Sequence, residues 1–283
     1  MLPANKLSRV HALKPAVPAF TEAVYIGNDW LLYATDHGSH DAAEMIAPCL
    51  ILSQCNDKFT IHCDSASLSV NSHVILHGSG LSTHGEGNLA LFIYFDPLSP
   101  AGLRLQHLAA SAGGLMDFHQ ASEHLSDATA LEDIVQGGMS CNSMQAFVND
   151  MSQILSPLEA VGKIDQRLQK VTRVIRDKPD GRPDLDRLGE MVHMSGDNLR
   201  RLFCQTTGTT LSRYQMWQRL RHMVLCACER QQSGKQPTME EMVFAAGFYD
   251  MPHAAKTIKK FLARKTSSIV SPVLFKNCCT PNC

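Results

Sequence analysis

Two clusters of side chains in the C-terminal half of this 283-residue chain have the types and spacing to engage a polyanion. In the first, Asp197, Arg200, Arg201 and Cys204 recur at i, i+3, i+4 and i+7, so that on a helix they share one face. Leu199, Leu202 and Phe203 form the opposite, apolar stripe. A guanidinium carries a planar fork of donors. Two of them at the middle of a solvent-facing helix can reach guanine O6 and N7, or phosphate oxygens, in a major groove. In the second cluster, His253, Lys256, Lys259 and Lys260 lie opposite Ala254, Ile258 and Leu262, which suits phosphate contact more than base reading. A third group is imidazole-rich: ten of the 13 histidines precede residue 125, among them His37, His40, His73, His77 and His84, with Glu44 nearby. A metal site would need neutral imidazoles and a carboxylate converging on one point, but the usual His-x-His spacing is absent, so ordinary polar histidines are the expected account. No metal, cofactor or catalytic residue is expected.

Charge singles out the same half. Residues 1–162 hold five basic side chains against 16 acidic ones, a surplus of 11 negative charges. Residues 163–283 hold 21 basic against 11 acidic, a surplus of ten positive charges. Clustered Lys and Arg release condensed counterions from a phosphate backbone, so double-stranded DNA is the expected partner. No run approaches the roughly 20 apolar residues that span a bilayer, and the first 20 residues lack a basic start followed by an apolar stretch. A cytoplasmic protein with no membrane partner is expected. Ten cysteines without regular spacing fit reduced, buried thiols.

The elements that must position these side chains follow from periodicity. Leu185, Leu188, Met191 and Val192 make one stripe on a short helix, which Met194-Ser195-Gly196 breaks. Ser195 can cap the next helix, and Gly208 can end it in the left-handed conformation. A long helix over Leu211 to about Gln231 has Leu211, Tyr214, Trp217, Leu220, Val224 and Ala227 spaced to pack against neighbours on both sides. A second unit runs from Pro237-Thr238 through Met239, Met242, Val243 and Ala246 and turns at Gly247-Phe248-Tyr249-Asp250. There Asp250 can cap a final helix whose first turn holds Pro252. Upstream, a helix over Ile164 to about Asp177 ends before Lys178-Pro179-Asp180-Gly181. Before that, Met144, Phe147, Met151 and Leu155 form a helical stripe that serves either a core or a dimer surface.

These residues carry a family resemblance. The stretch from Asp184-Leu185-Asp186-Arg187-Leu188 through Ser195 and Leu199-Arg200-Arg201-Leu202-Phe203 to Thr207-Gly208, then Tyr214, Trp217 and Arg219-Leu220, then Ala246-Gly247-Phe248-Tyr249-Asp250 with His253 and Lys256-Thr257, resembles the DNA-binding module of the AraC/XylS regulators. The resemblance covers about residues 164–269. It implies that Asp197, Asn198, Arg200 and Arg201 face bases and phosphates, and that Met251, Pro252, Ala255 and Lys256 hold the corresponding places in the second unit. With Ser195, Gln205, Asp250, His253, Lys259 and Lys260 these complete the candidate DNA-contacting set. Ala254 and Ile258 are smaller than the family's usual packing residues. Ala263 replaces a glycine, and Lys265-Thr266 replaces a serine-proline pair, so a less firmly packed second helix is expected.

From about Glu22 to Asp96 the sequence reads as short strands, Trp30–Tyr33, Ile46–Leu52, Phe59–Cys63, Ser67–Val70, Val74–Leu76 and Leu89–Phe95, divided by Gly, Asn and Asp turns. Residues 22–98 are similar to the cupin-like sensor domains of that family. The expected fold class is therefore α+β with two domains. Residues 1–120 would form a cupin-like effector or sensor β-barrel, 121–162 connecting helices that could dimerise, 163–270 an all-α DNA-binding domain with two helix-turn-helix units joined by a long helix, and 271–283 a Cys-containing tail. The resemblance further implies a transcription regulator, an activator or a repressor, that forms a homodimer, meets RNA polymerase and answers to a small-molecule effector or a partner. Two other classes compete with this one: a cupin-type metal-dependent enzyme, and a DNA-repair protein with methyl-accepting cysteines. The first lacks a metal constellation, and Cys49, Cys55 and Cys63 lack the paired spacing that the second would require.

Overall fold

The computed structural model describes residues 22–35, 40–43, 46–53, 59–63, 66–70, 73–76, 81–84, 90–112, 115–117, 133–154, 164–181, 184–262 and 273–279. The N-terminal part contributes β1 (Glu22–Ile26), β2 (Trp30–Thr35), β3 (His40–Ala43), β4 (Cys49–Ser53), β5 (Phe59–Cys63), β6 (Ala66–Val70), β7 (His73–Leu76), β8 (Leu81–His84), β9 (Ala90–Phe95) and β10 (Leu115–Asp117). It also contributes the helices α1 (Pro100–Ser111) and α2 (Cys141–Ile154). The C-terminal part is helical: α3 (Gln166–Asp177), α4 (Leu185–Glu190), α5 (Gly196–Thr207), α6 (Leu211–Gln232), α7 (Met239–Ala245) and α8 (Met251–Leu262), followed by one strand, β11 (Val273–Asn277). The α+β class of the sequence reading stands.

The strands form a seven-stranded sheet in the order β10-β7-β4-β9-β2-β1-β11 and a four-stranded sheet in the order β3-β8-β5-β6. Among the described residues the larger sheet is open, with β10 and β11 as edges, so a closed barrel is not what forms. Its central strands are nearly all apolar, as strands covered on both faces should be. Alternate residues serve different cores. Ala23, Tyr25, Leu32, Leu50, Leu52, Leu91, Ile93 and Phe95 pack with α1 and α2, whereas Val24, Ile26, Leu31, Ile51, Phe92 and Tyr94 belong to a cluster continuous with α3 to α8. Tyr94 reaches Trp217 directly, ring centroids 6.2 Å apart. The sheet is therefore the shared wall between the two parts of the chain.

Two features that the sequence left open can be described. Met144 and Met151 are buried against α1 and the sheet within the same chain, so these two side chains of the stripe serve a core. Leu155 lies outside the described residues. The Cys-containing tail is structural from Val273 to Asn277: β11 pairs in parallel with β1, Val24 opposite Phe275. A strand of five residues beyond a segment without helical or β periodicity gives too little signal to be read ahead.

Candidate nucleic-acid interface

The first helix-turn-helix unit is α4, its turn and α5. Asp184 caps α4, its carboxylate accepting from the backbone amides of Asp186 at 3.1 Å and Arg187 at 3.3 Å. The turn folds back tightly enough that the Met194 amide donates to the Gly189 carbonyl at 2.9 Å, and a Cβ on Gly189 would stand 2.4 Å from the Met194 carbonyl oxygen. Only glycine leaves room for that approach. Ser195 caps α5 as the spacing predicts, its Oγ accepting from the Asn198 amide at 3.3 Å, and Gly208 ends the helix at φ 59°. Leu199 and Phe203 are fully buried. The outer face then carries Ser195, Asp197, Asn198, Arg200, Arg201 and Gln205, all six exposed. Arg200 pairs with Asp197 at 2.9 Å, and Arg201 donates to the Asn198 side-chain oxygen at 2.9 Å. Such surface pairs hold a side chain in place at under about 1 kcal/mol, so both arginines can be aimed outward and still be released to a groove.

The second unit is α7, its turn and α8. Thr238 and Glu241 close a capping box at the start of α7, and Glu241 also pairs with Arg230 from the end of α6. Asp250 Oδ1 accepts from the His253 amide at 2.7 Å, the cap expected of it. Pro252, His253, Lys256 and Lys259 are exposed, whereas Met251 and Ala255 are half-buried, Met251 packing against the core. The Lys260 side chain lies outside the described residues. Ala254 and Ile258, the small residues of this helix's inner face, are fully buried. His253 also meets the Phe248 ring edge-on, centroids 5.8 Å apart.

Helix α6 fixes the two units relative to one another. Arg219 donates to the carbonyls of Pro179 at 2.9 Å and Asp180 at 3.0 Å, while Gln215 donates to those of Pro179 and Gly181. The loop thus gripped, between α3 and α4, touches the turn of the second unit. Gly247 there has φ 75°, and a Cβ on it would stand 2.4 Å from the Asp180 Cα. The Arg219 guanidinium also lies 5.9 Å from the centre of the Phe248 ring.

The other side of α6 docks on the N-terminal sheet, a contact that periodicity did not reveal. Arg221, buried, donates to the carbonyls of Gly27 at 2.7 Å, Asn28 at 2.7 Å and Trp30 at 3.0 Å in the β1–β2 turn. Buried Asp96 accepts from the Tyr214 hydroxyl at 3.3 Å and from Gln218 at 3.0 Å through one oxygen, and from the Leu98 amide at 2.9 Å through the other. Burial lowers the Arg221 guanidinium pKa, and the nearby Asp96 charge opposes that shift. Burial, and then the Asp96 charge, raises that of Tyr214, which stays a hydrogen-bond donor.

The N-terminal histidine group tests differently. His37, Glu44 and His77 lie outside the described residues, as do the side chains of His40, His73 and His84, and so does Cys55 of the repair reading. Among the described residues no group of His, Cys, Asp or Glu is arranged to hold a metal ion, and no helix is long and apolar enough to cross a membrane. Cys49 is buried, and desolvation pushes its thiol pKa well up, which disfavours the thiolate there.

No protein-family model matches the chain, and no curated protein matches it in sequence. Solved structures do. The chain is similar to the apo form of a single-substitution variant of ToxT from Vibrio cholerae strain SCE256, with a TM-score of 0.53 at 9% identity over 86% of this chain and 97% of that one. It is also similar to the unsaturated fatty acid-bound wild-type ToxT of that strain, with a TM-score of 0.51 at 10% identity over 87% and 96%. The AraC-like transcriptional activator CuxR superposes at a TM-score of 0.31 and 9% identity, too low to establish a shared fold. The chain therefore shares the fold of ToxT over 86–87% of its length, at an identity that fixes architecture alone.

Proposed function

We propose that this protein is a sequence-specific, DNA-binding transcription regulator of the AraC type. The observation that carries the reading is the outer face of α5: six exposed polar side chains, Arg200 and Arg201 at their centre, on a capped helix held by the rest of a helix-turn-helix unit. The second unit, on the same frame, offers Lys256 and Lys259 to phosphates, with Pro252 and His253 beside them. The surplus of positive charge after residue 163 agrees with a phosphate partner. DNA would be read mainly by α5 and gripped by α8. The N-terminal β domain supplies the effector-responsive part: a small molecule or partner that bound it would act through the Asp96 and Arg221 contacts on α6. Homodimerisation and contact with RNA polymerase complete the reading on the family resemblance, and the dimer surface is to be sought outside the buried Met144 stripe.

Selection of bound sequences from random DNA by the full chain, followed by footprinting on the selected site, tests the proposal. Enrichment of a motif with protection of two adjacent major-groove segments on one side of the duplex is expected. Recovery of unenriched DNA would overturn it.

A further inference from the structure

The inference concerns the thiols of Cys141 and Cys278, which lie 137 positions apart in the chain and meet with sulfurs 2.6 Å apart. Both are buried. Each is fixed from its own side. Cys141 is the first residue of α2, and its Sγ donates to the Asn277 carbonyl at 3.5 Å. Cys278 directly follows β11, and its amide donates to the Ile26 carbonyl at 2.7 Å, extending the ladder with β1 by one residue. Lys276 ties the two sides together, its ammonium donating to the carbonyls of Gly137 and, at 3.0 Å, Met139 just before α2. The main chain therefore holds the sulfurs together whether or not a bond joins them.

An oxidant has a way in. A cavity of about 460 Å³ is lined by Cys141, Gln231, Lys235, Leu274 and Lys276, among others. Two lysines at its wall make it hospitable to a thiolate and to a small polar oxidant. We propose that Cys141 and Cys278 form a reversible disulfide, with a peroxide as the oxidant and a dithiol as the reductant. The Cys141 thiolate attacks one peroxide oxygen, the O–O bond breaks and one water leaves, so that the sulfur becomes a sulfenic acid. The Cys278 thiolate then attacks that sulfur and the second water leaves. Two thiols and one hydrogen peroxide thus give one disulfide and two waters.

The bond would close a loop that contains the entire helical part. The chain leaves the N-terminal domain after α2, builds α3 to α8 and returns through β11, so a link between residues 141 and 278 fastens both ends of that part to the sheet. Gln231, in the last turn of α6, already holds β11 by donating to the Val273 carbonyl at 2.7 Å and accepting from the Phe275 amide at 2.9 Å. Oxidation would thus clamp the far end of the helix that carries both helix-turn-helix units.

The experiment uses the full chain, reduced and then exposed to graded hydrogen peroxide, alkylated, digested with trypsin without reduction and examined by mass spectrometry. The exposed Cys204 serves as the internal control for oxidant dose. A linked pair of the peptides 105–163 and 277–283 is expected at or below the dose that oxidises Cys204. The link should persist in a Cys279→Ser, Cys283→Ser background, disappear in Cys141→Ser and Cys278→Ser, and revert with a dithiol. The oxidised chain should melt about 5–10 °C above the reduced one, and the two single variants should show no such shift. Oxidation of Cys204 while Cys141 and Cys278 remain fully alkylated would overturn the proposal. So would a link that survives Cys278→Ser.

Discussion

Replacing Arg221 with methionine isolates the polar half of the contact between α6 and the sheet. Methionine keeps most of the aliphatic stem that lies beside Trp217 and removes only the guanidinium, whose carbon stands 5.6 Å from that ring centre. Three carbonyls lose this donor. Asn28 is exposed and its carbonyl can turn to water, and the Trp30 carbonyl keeps the Gly27 amide at 3.0 Å, which leaves the buried Gly27 carbonyl without a partner. A buried acceptor left in that state costs about 1–3 kcal/mol. Relief from burying a charge offsets part of this, which leaves about 1–2 kcal/mol. For a chain of this size each kcal/mol moves the midpoint by roughly 2–4 °C, so Arg221→Met should melt about 2–8 °C below wild type. Circular dichroism melts read this directly, with exposed Arg201→Met as the control that leaves the midpoint unchanged. Limited proteolysis should also cut the β1–β2 turn sooner in Arg221→Met. A midpoint within about 1 °C of wild type, with unchanged proteolysis, would refute the claim that this contact holds the two parts together.

The remaining predictions concern the proposed reading surface and its frame. Arg200→Ala and Arg201→Ala should each weaken binding to a selected site by roughly 1–3 kcal/mol and relax its sequence preference, measured by titration at fixed salt. Lys256→Ala and Lys259→Ala should instead weaken binding to all sequences alike, each lowering the slope of log affinity against log salt by about one. Gly247→Ala forces a side chain into a left-handed conformation at about 1–2 kcal/mol and drives its Cβ against the Asp180 backbone, so footprinting should lose the segment under α8 before that under α5. Burial, and then the Asp96 charge, raises the Asp29 carboxyl pKa above its usual value, so this group's contribution to stability is present at low pH and lost as pH rises through the raised value. Asp29→Asn should therefore match wild type in melts at about pH 3.5 and melt slightly higher than wild type at neutral pH, where the carboxylate would be charged beside Asp96.

The helical half was legible because each of its elements carries a local signature. The stripe of Leu185, Leu188 and Val192, the Ser195 and Asp250 caps and Gly208 each depend on neighbours within one or two helical turns, and each appears where the spacing put it. Six strands were legible from apolar runs between turn residues, although β1, β3, β8, β10 and β11 were not individually marked. Their pairing order was not legible, because pairing between distant strands leaves no period in the sequence. The same holds for Arg221 and Gln218. On a helix with one good apolar stripe, polar residues beside that stripe read as solvent-facing. Their partners lie 122 or more residues away in the chain, so nothing local to α6 announces that they are buried.

That hidden half bears directly on the proposed regulation. Hydrophobic packing between Trp217 and Tyr94 is broad and tolerant of small shifts, but the Arg221 and Asp96 hydrogen bonds depend on distance and angle and fail over less than about 1 Å. An event in the β1–β2 turn, or at the start of α1 where Asp96 holds the Leu98 amide, would therefore change how α6 is seated without dismantling the core. Because α6 grips the Pro179–Gly181 loop through Gln215 and Arg219, and that loop abuts Gly247, a shift of α6 would be felt at the frame of both units. A single long helix that meets the sheet through Trp217, Gln218 and Arg221 and grips the frame of both units through Gln215 and Arg219 is thus the element through which an N-terminal signal would reach α5 and α8 together.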